Sequence, residues 1–226
     1  HLARGLKRLK SLRRLTIKTS NQVTDTGLSY LAKGLSSLKS LQSLSFKISN
    51  WLQVTNAGFV SLSQSLKKLT FLKSIQFRFF HLNEAVGKGL QKLNGSFNRL
   101  ARLEDIAFPD SYHMSDQHFA RMNFKRLTSL KKFHLVLSES EITDIGIHFL
   151  TKALHGLPSL RKINLIQLKC WECPDISDLG LSYIWRMMKS LPGLQEINLQ
   201  FSFSLKITNA GLNDLNQTLM DCLIPL

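Results

Sequence analysis

The chain has 226 residues, 43% of them hydrophobic, and a formal net charge of +15 at pH 7. This apolar content is enough for a continuous core, but no apolar run approaches the about 20 residues of a membrane span. The three cysteines, Cys170, Cys173 and Cys222, do not make a disulfide framework, and free thiols favour a reducing, intracellular compartment.

The sequence repeats one pattern along almost its whole length. Val23–Phe46 reads VTDTGLSYLAKGLSSLKSLQSLSF, and 31 residues later Val54–Phe77 reads VTNAGFVSLSQSLKKLTFLKSIQF. A fixed period of this size predicts a stacked array of small helix or strand units. The same frame restarts after intervals of 28 to 34 residues at Ala85, Met114, Ile142, Ile176 and Ile207.

Each repeat opens with the chemistry of a helix start. In six of seven copies a Ser or Thr is followed by Asp or Asn, as in Thr24-Asp25. The hydroxyl predicts an N-cap, and the early carboxylate suits the positive end of the helix dipole. Leucines then recur at three and four residues, and the copy ends in alternation, as in Leu41-x-x-Leu44-x-Phe46. Each copy therefore predicts one helix followed by one short strand.

The copies differ in regularity along the chain. The first is partial, the second and third are the most regular, and Trp51 between them is predicted to lie in a loop, covering an edge or making a contact. The fourth lacks the Thr-Asp start, the fifth, Met114–Leu135, predicts a helix two residues shorter, and the insertion Gln167–Asp175 precedes the seventh. Because neither end has the polar cap that an array needs, we expect residues 1–226 to be a single array of about seven repeats, truncated at both ends, from a longer chain.

The strand pattern resembles that of leucine-rich repeats. The motif L-x-x-L-x-L or a close variant occurs seven times, as in Leu12/Leu15/Ile17 and Leu194/Ile197/Leu199. With a helix in every copy and the I-T-D-x-G-L start, the chain resembles the ribonuclease-inhibitor-like and F-box-associated, cysteine-containing subfamilies. The resemblance implies an α/β leucine-rich-repeat solenoid, or horseshoe, with one helix and one short parallel strand per repeat. It implies no single function, because such arrays serve unrelated tasks. Where the family has Asn or Cys after the strand, this chain mostly has Ser, at Ser20, Ser49, Ser111, Ser138 and Ser202.

A glycine occupies one position in the first helical turn of six copies. Glycine in a helix costs roughly 1 kcal/mol relative to alanine. Its repetition therefore predicts that this turn lies close against a neighbouring backbone, and no second glycine has the spacing of a phosphate-binding loop. The six residues are Gly27, Gly58, Gly89, Gly146, Gly180 and Gly211.

The sequence contains no recognisable catalytic, cofactor or metal site. Cys170 and Cys173 form one C-x-x-C, but a structural zinc site needs four ligands, and neither a second pair nor a nearby histidine accompanies it. The histidines are scattered over different repeats, and no nucleophile elbow, phosphate loop or metalloprotease motif occurs. We therefore expect a protein that is not an enzyme, with no cofactor and no small-molecule substrate.

The basic excess lies in the first part of the chain. Residues 1–100 hold 17 Lys or Arg and two acids, whereas residues 101–226 hold 13 of each. So one-sided an imbalance predicts that the basic N-terminal half meets an acidic partner. The alternative is a solvated face that serves only solubility.

The solenoid predicts which strand residues face a partner. Residues that flank the inward-pointing leucines would line the concave sheet, where adjacent strands lie about 4.8 Å apart. Lys18, Lys47 and Arg78 would form a column of like charges that an anion relieves, unless they merely extend into solvent. Val136 and Ile166 are predicted to be exposed further along, as a patch for a protein partner. The candidate partner-binding residues are Arg14, Lys18, Lys47, Arg78, Lys132, Lys162, Val136 and Ile166.

We expect a non-enzymatic scaffold for protein–protein interaction, a subunit of a larger intracellular assembly that is cytoplasmic, cytoskeletal or ciliary. Its partner would be an acidic protein surface and not a membrane. A tubulin lattice is one candidate, by analogy with long arrays in cytoskeletal and ciliary assemblies.

Three other functions stay open as alternatives. The first is the substrate-recognition array of an F-box-type ubiquitin ligase, which the resemblance implies. The second, less favoured than a protein partner, is an RNA- or ribonucleoprotein-binding subunit, for which aromatic residues among basic ones would stack on bases. Phe79, Phe80 and Phe201 are instead expected to fill the turns after the strands. The third is regulation of a small GTPase.

Overall fold

The structure, a computed structural model, describes residues 2–19, 22–79, 87–112, 114–168, 176–201 and 206–214. Helices and strands alternate along these ranges. The helices are α1 (Leu2–Arg8), α2 (Asp25–Leu35), α3 (Asn56–Leu66), α4 (Gly87–Phe97), α5 (Asp116–Phe119), α6 (Asp144–Leu154) and α7 (Asp178–Lys189), and residues 209–214 are also helical. The strands are β1 (Arg14–Thr19), β2 (Ser43–Ile48), β3 (Ser74–Arg78), β4 (Asp105–Tyr112), β5 (Lys132–Ser138), β6 (Lys162–Leu168) and β7 (Glu196–Phe201).

The seven strands form one parallel sheet whose order in space is their order in sequence, from β1 to β7. Each strand therefore pairs with the strands of the preceding and following repeats, and the intervening helix returns the chain to the same edge. A parallel connection of this kind requires such a crossover. The predicted α/β class, with one parallel strand per helix, is confirmed.

The core lies between the helices and one face of the sheet. The second repeat shows the pattern, since Leu28 and Leu35 of α2 and Leu44 and Phe46 of β2 are all buried. Burial of each such side chain contributes roughly 1.5–3 kcal/mol. Neighbouring repeats continue the same rows, and the ring of Phe46 stacks on that of Phe77 in β3 with 5.0 Å between centroids. No repeat buries its apolar residues without its neighbours.

Trp51 lies between β2 and α3, in the connection where it was predicted, and its side chain makes its contacts inside this core. Its side chain is 0% exposed, and its ring lies 5.7 Å from the rings of Phe59 and Phe79. The indole Nε1 donates a hydrogen bond of 2.9 Å to the carbonyl oxygen of Arg78. That bond satisfies the single polar atom of the ring, which makes full burial favourable. Phe79 is buried as predicted, Phe201 is half-buried, and Phe80 lies outside the described residues.

Hydroxyl caps are present at the helix starts, as predicted. Thr24 Oγ1 accepts a hydrogen bond of 3.2 Å from the backbone N–H of Gly27 at the start of α2. At α3, α6 and α7 the hydroxyl accepts from the residue two positions further along the chain. These pairs are Thr55 with Ala57, Thr143 with Ile145 and Ser177 with Leu179, at 3.0 to 3.2 Å.

The first-turn carboxylates act on the next repeat, a role that the sequence analysis did not predict. Asp25 Oδ1 accepts hydrogen bonds from the backbone N–H groups of Thr55 (2.8 Å) and Gly58 (2.9 Å), and Oδ2 accepts from the Thr55 hydroxyl (2.5 Å). An anion here satisfies unpaired donors at the N-terminus of the following helix. We call these contacts inter-repeat carboxylate links. Equivalent links join Asp116 to Thr143, Asp144 to Ser177, and Asp178 to Thr208.

The glycine that recurs in the first helical turn makes room for these links. A Cβ added at Gly58 or Gly146 would overlap the carboxylate of the preceding repeat, Asp25 or Asp116 respectively. The predicted close approach is therefore real, but at these positions its partner is a side chain and not a backbone. Gly89 does lie against backbone, since its added Cβ would be 2.9 Å from the Asn56 Cα.

Helix α5 is much shorter than its neighbours. It has four residues, whereas α4 and α6 have 11 each, so the predicted shortening of two residues is too small. After α5, Asn123 Oδ1 accepts a 3.1 Å hydrogen bond from the N–H of Lys125, a local turn that competes with continuation of the helix. Buried Phe119 and Phe124 still fill the core at this level. The missing helical turns leave a gap on the helix side of the molecule, between α4 and α6.

A serine pair holds the loop after β5. Ser140 Oγ donates to the carbonyl oxygen of Ser138 at 3.1 Å and accepts from the N–H of Met114 at 3.3 Å. Both serines are buried. At this repeat, the Ser140 hydroxyl thus ties the end of β5 to the preceding repeat, two residues after Ser138.

Candidate binding surface on the open face of the sheet

The face of the sheet that the helices leave uncovered, the open sheet face, presents alternate residues of each strand. In β1, Arg14, Thr16 and Lys18 are exposed, whereas Leu15 and Ile17 between them are partly buried and pack against the core. This alternation follows from the two-residue period of a strand. The structure thus places Arg14 and Lys18 on the open face, as the sequence predicts.

The sheet register brings three cations into one line across β1, β2 and β3. Lys18 pairs in register with Lys47, and Lys47 pairs with Arg78. We call these three residues the cation column. Adjacent strands are about 4.8 Å apart, so neighbouring side chains of the column start at nearly contact distance. Lys18 and Lys47 are exposed, and Arg78 is half-buried.

The residues beside the cation column are small and polar. Thr16, Ser45 and Gln76 form the adjacent row, in which Ser45 Oγ donates a 2.7 Å hydrogen bond to Gln76 Oε1. The open face of β1–β3 contains no carboxylate, because its sequence positions hold no Asp or Glu. The only charges on this part of the face are therefore positive.

Lys132 and Lys162 do not extend the cation column, because carboxylates accompany them. Lys162 Nζ forms a 2.5 Å salt bridge with Glu196 on the neighbouring strand. Lys132 lies in register between Lys162 and Asp105. Burial raises the pKa of Asp105, and the charges of Lys132 and His134 only partly oppose that effect. In register order the row runs Asp105, Lys132, Lys162 and Glu196, so the two lysines lie between two carboxyl groups.

Val136 is buried, so the prediction that it is exposed is wrong. Its side chain is 7% exposed, and Ile166, its register partner in β6, is half-buried. On the other side, the pairing between β4 and β5 shifts between Phe108 and Ser111, which marks a bulge beside Val136. A bulge bends its strand and adds a residue at that point. Because Val136 is buried and Ile166 is half-buried, the two residues do not form the exposed apolar patch that the sequence predicts.

A second charged surface lies on the helix side, and the sequence analysis did not find it. Two adjoining cavities of about 350 and 280 Å³ share Lys125 and Lys152 in their walls. Arg186 lines the larger cavity and Arg121 the smaller. We call the surface formed by these four residues the helix-side groove. Lys152 and Arg186 occupy equivalent positions in the sixth and seventh repeats, ten residues after Ile142 and Ile176, whereas Arg121 and Lys125 belong to the shortened fifth repeat. This helix column and that shortening were the available signals.

Neither a metal centre nor a membrane-crossing helix is found in the described part of the chain. No three His, Cys, Asp or Glu residues cluster there in a way that would hold a metal ion. Within the same ranges, no helix is both long enough and apolar enough to cross a bilayer. Cys170, Cys173 and Cys222, for which no metal role was predicted, lie outside the described residues.

No protein-family model matches the chain, and no curated protein matches it. Among solved structures, the chain is similar to a Bacteroides fragilis protein determined by the Northeast Structural Genomics Consortium. The two share 14% sequence identity with a TM-score of 0.31, and the match covers 85% of this chain and 66% of that one, just under two thirds of its length. A likeness of this size carries no argument about fold or function.

Proposed function

We propose that the chain is a solenoid of leucine-rich-repeat type that serves as a non-enzymatic interaction scaffold, and that its cation column binds an acidic protein surface. Three features support the solenoid: the sequential parallel order of β1–β7, the recurring apolar rows, and the inter-repeat carboxylate links. The register of Lys18, Lys47 and Arg78 is the observation that carries the binding proposal.

Mutual repulsion within the cation column favours an anionic partner. Two unit charges about 6 Å apart in water repel by about 0.7 kcal/mol. The open face of β1–β3 supplies no carboxylate to offset this repulsion. A partner that lays carboxylates across the column replaces each repulsion with an attraction. Because these charges are near solvent, the interaction weakens with salt over a screening length of about 8–10 Å.

The acidic partner is a protein within a larger intracellular assembly in this proposal, and a tubulin lattice is the candidate we would test first. Beside the column, exposed Thr16 offers a hydroxyl and half-buried Gln76 an amide to a protein surface, whereas Ser45 is buried and bonded to Gln76. The same strands expose no aromatic residue on which bases would stack. These two features favour a protein partner over RNA.

The test is charge reversal of the whole cation column in the triple variant Lys18→Glu, Lys47→Glu and Arg78→Glu. A matched control, Lys67→Glu, Lys68→Glu and Arg99→Glu, changes the net charge equally at exposed positions away from the open face. Exposed ion pairs contribute about 0.2–1 kcal/mol each. Turning three attractions into repulsions should therefore weaken binding by about 100-fold, or about 3 kcal/mol.

Two assays separate the outcomes. Co-sedimentation with microtubules at low and moderate salt measures the tubulin candidate directly, and a pull-down from extract with salt-gradient elution identifies any other acidic partner. The proposal predicts loss of the partner with the column variant and retention with the control variant. Unchanged capture by the column variant would contradict it. Loss of the captured material after nuclease treatment would instead support the RNA-binding alternative.

A further inference from the structure

We propose that the helix-side groove is a second binding site, separate from the open sheet face, and that it takes an acidic peptide segment of a protein partner. The groove exists because α5 has four residues where the adjacent helices have 11. The gap that remains is bounded by α4 on one side and by α6 and α7 on the other.

Four cations line the groove without described carboxylate partners. Arg121, Lys125, Lys152 and Arg186 are all exposed. Among the described residues, the salt bridges involve Glu104 and Glu196, and none of them involves these four cations. No described Asp or Glu lines either cavity. The groove is therefore positively charged even though residues 101–226 carry no net charge.

The acids of α6 and α7 lie too far away to compensate Lys152 and Arg186. The only acid of α6 is Asp144 in its first turn, eight residues before Lys152, and the only acid of α7 is Asp178, eight residues before Arg186. Eight residues of helix span about 12 Å, which exceeds the screening length of about 8–10 Å. Both carboxylates also accept hydrogen bonds from the next repeat.

The shape of the groove fits an extended peptide. It runs from α4 to α7, and helix axes in contact are about 8–10 Å apart, so its length is about 25–30 Å. An extended chain of eight or nine residues has this length at about 3.3 Å per residue. The shared walls at Lys125 and Lys152 join the two cavities, so that successive acidic side chains could occupy both.

The walls favour a peptide over a single-stranded nucleic acid. Binding of unpaired bases needs aromatic faces on which the bases stack. In the larger cavity the ring of Tyr183 already lies against His148, with 4.7 Å between centroids, and His148 also lies 5.9 Å from Phe149. Buried Met187 and Thr151 form the floor, which suits the aliphatic part of a glutamate or aspartate side chain.

The experiment isolates the groove from the cation column. The full 226-residue chain carrying the column variant serves as the parent, so that its open face no longer attracts anions. Fluorescence anisotropy measures binding of a fluorescein-labelled decaglutamate peptide, with decaglutamine and a deca-thymidylate oligonucleotide as comparison probes. The groove variant adds Lys125→Glu, Lys152→Glu and Arg186→Glu, and the matched control adds Lys67→Glu, Lys68→Glu and Arg99→Glu.

We expect the parent to bind decaglutamate and not decaglutamine, and the groove variant to lose at least about 10-fold in affinity. The matched control should change the affinity less than about 3-fold. Equal losses in both variants, no binding by the parent, or tighter and equally groove-dependent binding of the oligonucleotide would each overturn the proposal. If the groove variant does not fold, the neutral variant Lys125→Gln, Lys152→Gln and Arg186→Gln replaces it, with the same expected order. None of these outcomes depends on whether the cation column binds a partner.

Discussion

Replacing Gly146 with alanine tests whether the inter-repeat carboxylate links hold consecutive repeats together. At a helix position with open space around it, replacing glycine with alanine raises the free energy of unfolding by up to about 1 kcal/mol, because alanine loses less backbone entropy on folding. At Gly146 the added Cβ would overlap Asp116 Oδ1 and lie 2.9 Å from Ile142 Cγ2. The Asp116 carboxylate must then move away from Thr143. It accepts hydrogen bonds from the Thr143 N–H at 2.9 Å and from the Thr143 hydroxyl at 2.6 Å.

The size of the effect follows from these contacts. Hydrogen bonds to a charged group contribute roughly 1.5–3 kcal/mol each, and overpacking costs roughly 1–3 kcal/mol. Both Asp116 and Thr143 are only half-buried, which lowers the first contribution because water can replace the lost partners. After the helix-propensity gain is subtracted, we expect Gly146→Ala to reduce the free energy of unfolding by about 2–3 kcal/mol. For a chain of this size, Tm should fall by about 4–12 °C.

Urea and thermal unfolding, followed by far-UV circular dichroism, measure this loss against a matched control. Gly27 occupies the same helical position, but the nearest atom to its added Cβ is Thr24 Oγ1 at 3.7 Å, so Gly27→Ala should be neutral or stabilising. Asp116→Ala removes the obstructing carboxylate. In a chain that carries Asp116→Ala, Gly146→Ala should therefore reduce the free energy of unfolding by at least about 1 kcal/mol less than it does in the unmodified chain. Equal shifts for the two glycine variants, or fully additive losses in the double variant, would refute the reasoning.

Three further substitutions test the core and the open face by urea unfolding. Trp51→Phe should lose about 1–3 kcal/mol, since the Arg78 carbonyl oxygen loses its donor, and an unchanged midpoint would contradict the hydrogen bond. Burial raises the pKa of Asp105, which disfavours the ionised form in the folded state. Asp105→Asn should therefore stabilise the fold at neutral pH, and the gain should vanish as the pH falls well below the ordinary pKa of Asp, where the carboxyl is protonated in both the folded and the unfolded state. Val136→Asp should lose at least about 2 kcal/mol because the carboxylate is buried, whereas Thr16→Asp on the same face should stay within about 0.5 kcal/mol.

The repeat period was sufficient to predict the cation column. Lys18, Lys47 and Arg78 each follow the last apolar residue of their strand motif by one position. In a parallel sheet whose strands run in sequential order, equivalent positions pair with one another, and the register has this form. Spacing alone thus fixes which residues meet across neighbouring strands, although these pairs are 29 and 31 residues apart in sequence.

Features that depend on a local departure from the repeat could not be predicted in the same way. Val136 occupies a position that is exposed in a regular strand, but it is buried, and the bulge beside it in β4 belongs to a different repeat. In the fifth repeat, a deficit of two residues accompanies the loss of most of a helix. Each further helical turn needs hydrogen bonds between residues four apart, so a small deficit can remove a whole turn. The turn at Asn123 supplied a local alternative.

The Asp column shows how a correct local principle can assign a residue an incomplete role. Helix-capping chemistry explains why Asp follows Thr at the start of a repeat, and Thr24 does cap α2. The partner of Asp25, however, lies 30 residues away in the chain, at Thr55. The recurrence of a glycine two positions after the Asp or Asn in five of the six copies that have one, all but the copy with His118, was the signal for this contact, because the glycine of one repeat leaves space for the carboxylate of the previous one.

These links also explain why dividing the chain into a basic and a neutral half describes its surface poorly. In helices α1 to α7, acids occur only in the first turn, at Asp25, Asp116, Asp144 and Asp178, and each accepts hydrogen bonds from the next repeat. The rest of each helix carries only basic or uncharged residues. Charge is therefore separated between the start of each helix and its body, and a half with equal numbers of acids and bases still presents a basic helix side. Charge changes confined to one face of the molecule, the open sheet face or the helix side, should consequently alter the salt dependence of binding at that face alone. Charge changes confined to one half of the sequence should alter it at both faces.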